Sequence, residues 1–142
     1  MTTGSPPRWI AAYLAALVSF LMLDACWLSL MGPRLYQPAL GHLTSPQVDW
    51  FAAALFYLGY VGGLVHFAVQ PALGQAGTAL RRGALLGLMA YATYDLSNQA
   101  TLRDWPWTLT LLDLAWGGVA SGLAAFAAAR LTSRPESRRS AR

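Results

Sequence analysis

Three aspartates interrupt stretches that are otherwise apolar enough to cross a bilayer: Asp24 within 9–31, Asp95 within 83–102 and Asp113 within 107–129. They are half of the chain's six acids. A carboxylate at the centre of a spanning helix costs roughly 2.5 to 3.5 kcal/mol on insertion scales, so it is rarely kept without a partner or a task. The chemistry open to such groups is proton or cation uptake, or acid and base catalysis in which one carboxyl is protonated while another is ionised.

The elements that position them follow from length and hydropathy. The 142 residues are 56% hydrophobic and 11% charged, too apolar for an ordinary soluble domain and too short for two membrane domains. Four windows, 9–31, 48–69, 80–102 and 107–129, can each span about 30 Å of hydrocarbon. The expected fold class is therefore all-α, a four-transmembrane-helix bundle over residues 9–131, with a polar leader (1–8) and an Arg/Ser-rich tail (132–142). Gly32-Pro33 is expected to stop the first helix. Ser45-Pro46 offers a cap and a first-turn proline for the second, Pro71 an end to it, and Asp104-Trp105-Pro106 a start for the fourth. The connection between helices three and four is then so short that they must be antiparallel neighbours.

All ten basic residues are arginines, and none forms a stripe with aromatics on a soluble face, so nucleic acid is not an expected partner. They read as topology signals. With the N-terminus cytoplasmic, Arg8, Arg81, Arg82, Arg130, Arg134, Arg138, Arg139 and Arg142 lie inside, and Arg34 and Arg103 lie outside. The positive-inside rule then places both termini in the cytoplasm. Trp9, Trp105 and Trp107 fit interfacial belts. A single cysteine, Cys26, excludes an internal disulfide and a thiolate metal cluster. The stretch Leu23-Asp24-Ala25-Cys26 is similar to a lipoprotein cleavage box, but Asp24 stands where a small residue belongs and the apolar run continues, so the helix is expected to be retained.

In this topology the three aspartates share one depth, each about six or seven residues from the outer end of its helix at about 1.5 Å per residue. A common layer implies a shared pocket. On helix three, Gly83, Gly87, Tyr91 and Asp95 form a stripe at four-residue steps, with Asn98 three beyond. Helix four aligns Thr110, Asp113 and Gly117, with Trp116 three residues after Asp113. Asp24 and Trp27 repeat that Leu-Asp-x-x-Trp pattern, a match too short to establish an internal repeat. Helix two supplies Tyr57 and Tyr60. The expected polar site is Asp24, Asp95, Asp113, Asn98, Tyr57 and Tyr94, lined by Trp27 and Trp116. Carboxylates alone can hold a hard cation, but no second histidine lies near this layer, so no metal is expected and no cofactor is indicated. Glycine pairs at 59/63, 83/87 and 118/122 permit close helix packing, within the chain or in a homodimer.

The stretches Leu23-Asp24 to Trp27, Phe56-Tyr57 to Tyr60, Tyr91-x-Thr93-Tyr94-Asp95-Leu96-x-Asn98-x-Ala100-Thr101-Leu102 and Asp113-x-x-Trp116-Gly117 resemble the bacterial membrane proteins of domain of unknown function 2177. The similarity runs from about Trp9 to Leu131. It implies a four-helix protein of the bacterial inner membrane and supplies no activity, substrate or cofactor. Three functions remain open: a module that binds or transports a proton, cation or amphipathic small molecule; an intramembrane enzyme acting on a lipid or isoprenoid; and a structural or assembly protein whose polar layer holds the bundle together.

Overall fold

The computed structural model describes residues 7–133, so most of the expected leader and tail, including Arg134, Arg138, Arg139 and Arg142, lies outside the described residues. Four helices follow one another: α1 Arg8–Leu40, α2 Trp50–Ala72, α3 Ala76–Thr101 and α4 Trp107–Leu131. The described residues contain no strand. Of these, α1, α2 and α4 are both long and apolar enough to cross a membrane. With 26 residues α3 has the length but not the hydropathy, because Arg81 and Arg82 stand near its start and Asp95, Ser97, Asn98 and Gln99 crowd its last turns.

The first helix does not stop at Gly32-Pro33. It widens into a π turn over Gly32–Tyr36 and continues as α-helix through Leu40. Proline removes one N–H from the ladder, and the π register, in which Gln37 N–H bonds the Gly32 carbonyl, carries the helix past that gap. Arg34 helps by donating from its guanidinium to the Leu30 carbonyl at 2.9 Å. The cap of α2 is Asp49, whose Oδ1 accepts from the backbone N–H of Phe51 and Ala52, both at 3.0 Å. Ser45, the expected cap, instead accepts from Gln47 N–H in a local turn. Nor does α2 end before Pro71: it passes through a π turn, Val65–Val69, and a 3-10 turn, Gln70–Ala72, that contains the proline. Asp104 does not cap α4. It takes a left-handed conformation (φ 58°) in the tight α3–α4 turn, and Pro106 occupies the cap position.

Arg8 Nη2 donates to the Thr132 carbonyl at 2.8 Å, so the start of α1 and the end of α4 meet at one end of the bundle, here the terminal end. The α1–α2 and α3–α4 connections lie at the other, the far end. At the terminal end, alanine and glycine allow backbones almost to touch: a methyl group added to Gly83 would sit 2.6 Å from both Ala125 Cβ and the Ser121 carbonyl, and one on Gly87 would collide with the Gly117 backbone. These glycines serve contacts within the chain, whereas a methyl on Gly59 or Gly63 would meet open space. Helix α3 packs along the length of α4, α1 lies along α4, and α2 rests on α1. Helix α2 reaches α3 through its last turns, where Arg82 Nε donates to the Phe67 carbonyl at 3.2 Å. Toward the far end contact between α2 and α3 is all but lost, and a gap opens between them.

Candidate functional site

The two Leu-Asp-x-x-Trp segments, on α1 and α4, meet at the far end. Trp27 and Trp116 stack face to face, ring centres 4.5 Å apart and planes 5° from parallel. Each indole then reaches toward the other segment's acid. Trp116 Nε1 approaches Asp24 Oδ1 at 3.4 Å, while Trp27 Nε1 donates at 2.8 Å to the Tyr36 hydroxyl, which donates in turn to Asp113 Oδ1. Tyr57, from α2, donates to Asp24 Oδ2 at 2.5 Å. Two nearly buried carboxyls, Asp24 (7% exposed) and Asp113 (5%), thereby belong to one network that crosses α1, α2 and α4.

Tyr36 lies beyond Gly32-Pro33, where the sequence predicts that the first helix has ended. Nine residues of α-helix make about two and a half turns, which would put Tyr36 on the opposite face from Trp27. The π turn changes that phase, and Pro33 was its available signal.

Asp95 stands apart from this network. It is fully buried, and neither carboxyl oxygen has a hydrogen-bond partner among the described residues. Its position follows from the antiparallel register. Gly87 and Tyr91 pack against Gly117, and Gln99 Oε1 accepts from Thr110 Oγ1 at 3.0 Å, so Asp95, between them on α3, lies opposite Asp113 on α4. Above it the turn is locked: Trp105 Nε1 donates to Thr110 Oγ1 (3.0 Å), and Gln99 Nε2 donates to the Trp105 carbonyl (2.9 Å). Trp105 is therefore a buried strut rather than a belt residue, while Trp9 and Trp107 are exposed. Asn98 is half-buried on the next turn and does not reach Asp95.

The far-end gap between α2 and α3 is a cavity of about 340 Å³ lined by Phe56, Tyr60, Ala90, Tyr91, Tyr94 and Asp113. That volume lies at the lower end of the range for small-molecule pockets. Its walls are aromatic rings, and Asp113 is the one acid among the lining residues. The Tyr60 hydroxyl and Ser121 Oγ, 2.6 Å apart, close the side toward the terminal end, and Tyr94, 58% exposed, forms part of the rim. Of the expected site residues, Tyr94 and Asp113 line this cavity; Asp24, Tyr57, Trp27 and Trp116 form the network beside it. Phe56, Tyr60 and Tyr91 complete the walls. Among the described residues no three His, Cys, Asp or Glu side chains converge as metal ligands.

Residues 9–130 match the family described as "Predicted membrane protein (DUF2177)". The chain belongs to this family. It is a membrane protein whose apolar helices contact the lipid bilayer, and the family assigns it no activity. No curated protein and no solved structure matches the chain.

Proposed function

We propose that this chain is a four-span protein of the bacterial inner membrane, with both termini cytoplasmic, whose cleft between α2 and α3 binds an amphipathic small molecule from the outer leaflet. The observation that carries this reading is the cleft itself: an aromatic cavity with an acid in its wall, set between two helices that part toward the far end. An apolar chain can enter such a gap sideways from lipid, and a polar head can settle at Asp113 and the tyrosine hydroxyls. The orientation rests on the arginines at 8, 81, 82 and 130, which fall at the terminal end and so make it cytoplasmic. Binding fits better than passage across the membrane, because the Tyr60–Ser121 contact and the packed core of Val61, Leu64 and Val65 lie directly beneath the cleft.

Asp24 supports a second, structural role for that residue alone. Its carboxyl is engaged by Tyr57 and Trp116, and it ties α1 to α2 and α4.

Native mass spectrometry on gently extracted protein, comparing wild type with Ala90→Trp, tests the proposal. Ala90 is half-buried in the cleft wall, so an indole there fills the cavity without entering the α3–α4 interface. A molecule of defined mass should accompany the wild type and be lost from the variant. Identical spectra from two folded samples would count against a bound amphiphile.

A further inference from the structure

The chemistry of the cleft narrows the ligand class, given that the cleft is the binding site proposed above. Four aromatic residues, Phe56, Tyr60, Tyr91 and Tyr94, surround a cavity whose wall holds Asp113. Aromatic faces carry partial negative charge and attract cations, most strongly where water is excluded. Behind that wall the helix register sets Asp95, with both oxygens unpartnered, opposite Asp113. Acids set opposite one another ionise most readily when a positive charge lies beside them.

Among the described residues no cationic side chain bonds either acid. The partners of Asp24 and Asp113 among the described residues are hydroxyl and indole donors. The guanidinium groups of Arg8, Arg34 and Arg82 are engaged by the backbone carbonyls of Thr132, Leu30 and Phe67. An anionic head would repel an ionised Asp113 and a neutral head would gain nothing from its charge, whereas a cationic head favours the ionised form and pairs with it. We propose that the cleft takes an amphipathic ammonium ion, a quaternary or protonated amine whose charge sits beside Asp113 within the aromatic walls and whose chain leaves between α2 and α3 into lipid.

Two sources carry this chemistry: the headgroup of a bilayer lipid and a free amphipathic amine. The test uses the full chain in phosphatidylglycerol nanodiscs, with deuterated dodecyltrimethylammonium as probe, dodecanol as its neutral counterpart, and empty discs to subtract partition. Saturable binding of the ammonium probe is expected, weakened about tenfold by Asp113→Asn and about as much when dodecanol replaces it. Ala90→Trp should abolish it. Tyr94→Leu removes a ring from the exposed rim and should weaken the ammonium probe alone, which keeps the test decisive if Asp113→Asn does not fold. Displacement of the probe by phosphatidylcholine in the disc identifies a lipid headgroup as the source; indifference to phosphatidylcholine identifies a free amine, and either supports the ammonium assignment. Dodecanol binding as tightly as the probe, with no effect of Tyr94→Leu, would overturn that assignment and leave the cleft reading intact. If neither molecule shows binding sensitive to Ala90→Trp, the cleft reading falls as well.

Discussion

The terminal and far ends of the bundle use opposite means of joining the same helices. At the terminal end α3 and α4 meet through Gly83, Gly87, Ser121 and Ala125, with backbones so close that an added methyl group has no room. At the far end the contacts are long side chains: stacked indoles, tyrosine hydroxyls on carboxyls, and a Gln99–Trp105–Thr110 lock. Small-residue packing in lipid brings the backbones of α3 and α4 together. Side-chain ties hold the helices while letting α2 stand away from α3, and the cleft lies in the difference. Close packing at one end thus positions an open, aromatic site with an acid in its wall at the other.

The largest break in this contrast should come from Gly87→Ala. Its methyl would strike the Gly117 backbone, which cannot move without parting α3 from α4, so about 3 kcal/mol or more of stability should be lost, read as unfolding in mixed micelles. An equally large loss from Gly59→Ala, where a methyl meets open space, would show that clearance is not the cause. Next is Asp95→Leu. Removing a buried carboxyl that has no partner should raise stability by about 1 to 2 kcal/mol in the same assay. Destabilisation would instead mean that Asp95 is bonded, by water or by ligand.

Tyr57→Phe sharpens the comparison further. It deletes one inter-helix hydrogen bond to Asp24, and such bonds in membranes average about 0.6 kcal/mol, so a loss of that order is expected. The smallest effect on stability belongs to Ala90→Trp, which should leave the unfolding free energy within about 0.5 kcal/mol of wild type while removing the bound amphiphile.

Much of this frame was legible before the fold. Hydropathy gives four windows, three of which prove to be helices long and apolar enough to cross a membrane, and the four-residue spacing of Gly83, Gly87, Tyr91 and Asp95 marks the face that α3 turns to α4. The repeated Leu-Asp-x-x-Trp drew attention to two segments that prove to touch. The misses share a physical origin, because they depend on local backbone geometry that residue type leaves open. Proline ends most helices, yet here a π turn absorbs Pro33 and delivers Tyr36 to Asp113. Ser45, Asp49 and Asp104 are all competent caps, and the path of the chain selects Asp49 alone. The parting of α2 from α3, and with it the roles of Phe56, Tyr60 and Tyr91 as cleft walls, is a tertiary property with no periodicity to announce it.

The central claim is that α2 and α3 are clasped at the terminal end and parted at the far end. Cysteine pairs in a Cys26→Ser background test it directly in native membranes: Phe67→Cys with Arg82→Cys at the clasp, and Phe56→Cys with Tyr94→Cys across the cleft, treated with thiol cross-linkers of graded length. The shortest reagent should join the clasp pair, and the cleft pair should require a longer one. Equal yield at both pairs with the shortest reagent would mean that the helices run closed along their whole length, and the account would fail.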